Sequence, residues 1–96
     1  MKLVRDNVPD IMRMIGKHPK THFAEGKEVE EALIAKLEEE LKEVKEGRNI
    51  EEIADLIEVG YSLAKEYGTN EDKLNIIRKE KIIKNGGFNK KIILDD

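Results

Sequence analysis

The residues of this chain best suited to chemistry are carboxylates at helical spacing. Glu40 and Glu43 stand three apart in Lys36-Leu37-Glu38-Glu39-Glu40-Leu41-Lys42-Glu43-Val44, and Glu52 and Asp55 repeat the interval in Glu51-Glu52-Ile53-Ala54-Asp55-Leu56-Ile57-Glu58. Residues three apart are neighbours on a helix surface. On a wheel with Leu37 at the origin and about 100° per residue, Leu33, Leu41 and Val44 fall within about 40°, while Glu40 and Glu43 lie at about 60° and about 120° on one side. These two acids border the apolar stripe, whereas Glu38 and Glu39 point away from it. Glu52 shares its sector with Leu56, Val59 and Leu63, where a buried carboxylate needs compensation. An antiparallel hairpin about Gly47-Arg48 sets Glu43 level with Glu52 and Glu40 level with Asp55, since both pairs have the same index sum. The four acids then form one patch about 5 Å tall, because three residues rise about 4.5 Å along a helix.

Converging carboxylates repel one another, so such a patch calls either for protonation or for hard cations. Oxygen-only ligation without cysteine selects Mg²⁺, Mn²⁺ or Ca²⁺ over zinc, and Mg²⁺ characteristically completes its sphere with water and substrate phosphates. The chemistry implied is phosphoanhydride hydrolysis. The same spacing also suits a Glu-rich hairpin whose acids are simply solvated.

The elements that must position these acids are legible in the apolar pattern. A short lead-in precedes a brief helix that Pro9 can open and Gly16 can end, with Ile11, Met12, Met14 and Ile15 as its apolar surface. Residues 17–24 read as a linker around Pro19, with at most a short strand at 21–24; His18 and His22 within it read as ordinary exposed side chains. A long helix is expected from about 26 to 46 on the stripe Val29, Leu33, Leu37, Leu41 and Val44. A second follows from about 50 to 67 on Ile53, Leu56, Ile57, Gly60, Leu63, Ala64 and Tyr67, with Gly68 as its C-terminal stop. Thr69 or Asn70 then caps a third, running to about Asn85 and ended by Gly86-Gly87. The tail carries Ile92-Ile93-Leu94, a β-favouring run suited to pairing with 21–24.

Composition narrows the function further. The chain has 96 residues, 41% charged against 39% hydrophobic, with 4% aromatic and no Trp. That is one small domain, 1–96, with too thin an apolar complement to bury itself alone, so a homodimer or higher homo-oligomer is expected. A net charge of −3 argues against a binder of nucleic-acid polymers, which needs a clear excess of Lys and Arg. Zero cysteines exclude a disulfide framework and a thiol nucleophile. The start Met1-Lys2-Leu3-Val4-Arg5-Asp6 has no apolar signal region and no run approaches the roughly 18 residues that span a bilayer, so a cytoplasmic protein without a membrane partner is expected.

Beyond these readings, the chain resembles a known family. Glu39-Glu40-x-x-Glu43 followed by Glu52-x-x-Asp55 is similar to the EExxE and ExxD halves of the MazG-like, all-α nucleoside triphosphate pyrophosphohydrolase superfamily. Lys2-Leu3-Val4-Arg5-Asp6-Asn7-Val8-Pro9 resembles the KLVRDxIP start, and Lys84-Asn85-Gly86-Gly87-Phe88 the RGGF-type finish, of small members described as phosphoribosyl-ATP pyrophosphohydrolase-like. The link between the acidic halves, residues 44–51, is shorter than in many members. The resemblance implies a mainly α antiparallel bundle completed by dimerisation, with at most a short two-stranded β element from 21–24 and 88–94. It implies cleavage of a nucleotide between its α and β phosphates to the monophosphate and pyrophosphate, with Mg²⁺, or Mn²⁺ in its place, held by Glu40, Glu43, Glu52 and Asp55.

Under that reading Glu43 or Glu40 accepts the proton of the attacking water, and Glu39 and Glu58 take outer positions around the ions. Lys2, Arg5, Arg78, Lys81 and Lys84 are the candidates for holding phosphates. The alternatives are phosphoribosyl-ATP as the substrate, or a non-enzymatic dimeric helical interaction module whose acids are only surface charge.

Overall fold

The computed structural model describes residues 2–95 and holds four helices: α1 (Val8–Met14), α2 (Lys27–Gly47), α3 (Ile50–Glu66) and α4 (Glu71–Asn85). The fold is mainly α, as the apolar periodicity requires. α2 and α3 form the antiparallel hairpin and make the principal packing, with α4 leaning on α3. No described helix is long and apolar enough to cross a membrane.

Each boundary has a local cause. α1 carries Pro9 in its first turn, where the missing N–H costs nothing, and the chain leaves it through Gly16 at φ +85°. The Glu66 end of α3 closes as a Schellman motif: Gly68 sits at φ +87°, its N–H donates to the Lys65 carbonyl, and the Thr69 N–H donates to the Ala64 carbonyl. Asn70, rather than Thr69, is the cap of α4, its side-chain oxygen accepting the Lys73 N–H at 2.9 Å.

The turn between α2 and α3 is the one that matters for the acids. Gly47 remains helical and the left-handed residue is Arg48, at φ 52° and ψ 41°, whose N–H donates to the Val44 carbonyl at 3.0 Å. Asn49 then caps α3 by accepting the Glu52 N–H at 3.1 Å. The reversal thus takes only Arg48 and Asn49, which holds the two helices in a fixed register.

The expected β element does not form among the described residues. The Lys91 N–H closes a turn onto the Phe88 carbonyl, with Lys91 at φ 53°, and this interrupts the β-favouring tail. Phe23 and Phe88, one in each candidate segment, are 96% and 95% exposed, so neither has a neighbour to pair against. An isolated two-stranded ribbon is at best marginal in water.

The core is thin. Leu33, Val59 and Ala64 are the buried apolar side chains, and Glu40 is buried among them. The accessible surface is 8772 Å², against about 5,600 Å² for a compact monomer of this mass. The radius of gyration is 16.9 Å, against about 12.5 Å for a compact domain of this length. The helices hold together as a hairpin with appendages, and much of the apolar face, including Leu41, Ile53 and Ile57, remains open.

Arg48 offers a direct check on the turn. A non-glycine residue in the left-handed region costs roughly 1–2 kcal/mol, part of which glycine returns as unfolded-chain entropy. Arg48→Gly is expected to raise stability by about 0.5–1 kcal/mol in urea denaturation with an unchanged m value. A loss of stability would show that the Arg48 side chain, rather than the backbone, holds the turn.

Candidate metal centre

α2 and α3 bring three carboxylates together where the sequence pairs them. Oxygens of Glu40, Glu52 and Asp55 all lie within 4.8 Å of one another. On one octahedral Mg²⁺ with Mg–O distances of 2.0–2.1 Å, oxygens stand about 2.9 Å apart in cis and about 4.2 Å in trans, so the three side chains would have to draw together by up to about 2 Å to share an ion. An all-oxygen donor set also matches that hard cation. Glu43 lies outside the close triad, exposed on the same edge of α2, yet among the charges acting on Glu52 its effect is the largest. Desolvation first, then the charges of Glu43, Asp55, Glu40 and Glu51, push the Glu52 carboxyl above its ordinary value. The four acids therefore converge electrostatically on Glu52.

Gly47 contributes to that placement in a way spacing does not reveal. A Cβ at this position would stand 3.2 Å from Glu52 Oε1, 3.3 Å from Glu52 Cγ and 3.3 Å from Asn49 Nδ2. The last turn of α2 leaves room for the Glu52 side chain because residue 47 has none. Glu52 and Glu51 also sit in the first turn of α3, where the helix dipole favours their charge.

Two of the converging acids have basic partners in the structure, which relieves part of the repulsion expected from their spacing. Arg5 Nη2 donates to Asp55 Oδ1 at 2.6 Å across 50 residues of sequence. Lys36 Nζ stands 3.3 Å from Glu40 Oε1 and 3.4 Å from Glu39 Oε1, and its side chain is only 16% exposed. Lys36 gives Glu40, a residue only 7% exposed, a basic partner inside the hairpin. The i,i+4 interval from Lys36 to Glu40 is visible in sequence; that both side chains turn inward is not.

Glu39, expected to face away, is half-buried because the N-terminal segment lies over it and Lys2 Nζ reaches its Oε1 at 3.4 Å. Desolvation works to raise the Glu39 carboxyl, but the charge and hydrogen bond of Lys36, with those of Lys2, outweigh it and hold the group below its ordinary value.

One open cavity of about 620 Å³ has an acidic wall from Glu40, Asp55 and Glu58 and a basic side from Arg5 and Lys36; Leu3, Val8 and Val59 give it an apolar floor. Glu58 lines the same cavity as Glu40 and Asp55. The remaining basic candidates divide. Lys2 and Arg5 are at the acids, whereas Arg78 lines a separate groove of about 530 Å³ between α3 and α4 with Ile57, Gly60, Tyr61, Leu74 and Asn75. Lys81 and Lys84 are exposed along α4 and line neither cavity.

No family model, curated protein or solved structure matches the chain.

The raised Glu52 pKa fixes the sign of a stability test. A carboxyl that binds its proton more readily when folded destabilises the fold at pH values above its folded pKa, and that cost disappears as pH falls below the unfolded value. In EDTA at pH 7, Glu52→Gln is expected to melt at a higher temperature than the natural chain, with the gap closing as pH falls below about 4. A variant that melts lower at pH 7 would contradict the crowding of charge at Glu52.

Proposed function

We propose that this chain is a Mg²⁺-dependent nucleotide pyrophosphohydrolase of the MazG-like type, cleaving between the α and β phosphates to release the monophosphate and pyrophosphate. The observation that carries the reading is the approach of Glu40, Glu52 and Asp55 oxygens within 4.8 Å of one another, with Glu40 and Asp55 lining a cavity that also holds Arg5. Carboxylates alone suit a cation, and a guanidinium beside them suits a phosphate. The two together suit a metal–phosphate substrate. The sequence resemblance at both ends of the chain and in both acidic halves points the same way.

Glu40, Glu52 and Asp55, joined by Glu43, would hold Mg²⁺, with Mn²⁺ as a substitute. The ion would supply polarisation of the phosphoryl oxygens and acidification of a water. Glu40 is buried and held against Lys36 at 3.3 Å, which suits it to a fixed ligand position. Glu43 is exposed on the same edge and has no cation held against it, so it is the better base. In the step derived from these placements, water oxygen bonds to phosphorus, its proton passes to Glu43, and the bridging P–O bond breaks with the electron pair leaving on pyrophosphate. Arg5 and Lys2, on the side facing the acids, hold the phosphate oxygens.

The chain is further proposed to act as a homodimer. Supporting this are the surface, which exceeds that of a compact monomer by about half, and Ile53 and Ile57, one helical turn apart and both exposed on α3. Light scattering is expected to give twice the chain mass, and Ile53→Lys with Ile57→Lys the single mass. A monomeric natural chain at micromolar concentration would contradict this.

One observation favours the competing reading of a non-enzymatic helical module: Lys36 and Arg5 already partner two of the acids. The deciding assay is pyrophosphate release from ribo- and deoxyribonucleoside triphosphates and phosphoribosyl-ATP with Mg²⁺ or Mn²⁺. Turnover is expected to require the metal and to fall at least about 100-fold in Glu43→Gln and Glu52→Gln. Absence of both turnover and metal binding would leave the interaction module as the better account.

A further inference from the structure

Arg5 and Lys36 meet the same acidic cluster in different ways. Lys36 is enclosed by the hairpin and shared between Glu39 and Glu40, so it is a fixed part of the packing. Arg5 comes from the segment before α1, its side chain is 59% exposed, and it holds Asp55 through one nitrogen only, at 2.6 Å. The rest of its donor fork is left without a side-chain partner among the described residues. Its backbone is anchored: the Arg5 carbonyl accepts the Val8 N–H at 3.0 Å, and Leu3, Val4 and Val8 line the cavity beside Leu33 and Val59. The guanidinium can therefore swing while the segment stays in place.

Asp55, the acid that Arg5 occupies, is also a member of the close triad. A guanidinium and a divalent cation on one carboxylate repel each other, so filling the triad weakens the hold of Asp55 on Arg5. We propose that Arg5 is an exchangeable counter-ion: in the metal-free chain it neutralises Asp55, and when a divalent cation takes that carboxylate the freed guanidinium turns to the phosphates of the substrate. This inference rests on the metal reading given above and adds to it an order of events. The cation comes first, and a phosphate ligand finds its arginine only once the cation has displaced it.

The consequence is a coupling of opposite sign for the two ligands. Arg5 competes with the metal and favours the phosphate, so removing it strengthens one binding event and weakens the other. Lys2, which pairs with Glu39 outside the triad, has no such competition built in.

The experiment measures free Mn²⁺ by electron paramagnetic resonance during titration of the full chain without nucleotide, then binding of a non-hydrolysable α,β-methylene nucleoside triphosphate at saturating Mg²⁺. Arg5→Gln is expected to bind Mn²⁺ about fivefold or more tightly than the natural chain and the analogue at least about fivefold more weakly. Arg5→Lys, which keeps the charge but lacks the fork, is expected to leave Mn²⁺ affinity near that of the natural chain and still lose analogue affinity. The Arg5 side-chain NMR signals are expected to shift on Mg²⁺ addition and again on analogue addition. Unchanged or weaker Mn²⁺ binding by Arg5→Gln, with Glu52→Gln abolishing it, would overturn the exchange while leaving the metal centre intact. Equal, weak Mn²⁺ binding by the natural chain, Arg5→Gln and Glu52→Gln would overturn the metal centre and the exchange with it.

Discussion

Carboxylates placed level with one another on two antiparallel helices repel, and the rest of this structure is arranged around that repulsion. It is offset from inside the hairpin by Lys36 and from outside by Arg5, with the N-terminus of α3 favouring the charge of Glu51 and Glu52. The compensation is uneven. Glu40 is buried and paired and Asp55 is paired at the surface, whereas desolvation and then the charges of Glu43, Asp55, Glu40 and Glu51 raise the Glu52 carboxyl; at Glu39, Lys36 and Lys2 outweigh desolvation and lower it. Uncompensated negative charge beside a semi-open cavity is the condition under which a divalent cation gains most from binding.

The register that creates this arrangement depends on a two-residue reversal. Arg48 in the left-handed region and Asn49 as cap leave no slack between α2 and α3, and Gly47 leaves space for the Glu52 side chain. A longer or looser turn would let the helices slide and separate Glu40 from Asp55. The N-terminal segment then closes one side of the cavity, so residues nearly 50 positions away in sequence enter the same site as the hairpin acids.

The hairpin was readable because its signals are local and periodic: the stripe from Val29 to Val44, the stripe from Ile53 to Tyr67, and a turn too short to permit another register. Equal index sums set Glu40 level with Asp55, and the structure brings these two together with Glu52, while Glu43 stays outside the close triad. What escaped the sequence depends on the third dimension. The inward turn of Lys36, the covering of Glu39 by Lys2 and the reach of Arg5 to Asp55 follow from how the N-terminal segment lies on the hairpin, and no periodicity encodes that. The tail residues Ile92 to Leu94 misled because β propensity reports a preference for a pleated, half-buried surface. The described chain supplies no such surface there.

The central claim is that the acids of α2 and α3 form one cation site rather than a diffuse acidic surface. Paramagnetic broadening of backbone amide signals by substoichiometric Mn²⁺ tests it most directly, because the effect reports distance from the ion at every residue. The account predicts broadening centred on residues 40, 43, 52 and 55, extending to Arg5 and sparing the acids at 71 and 72 on α4. Broadening spread evenly over acidic residues along the whole chain would contradict it.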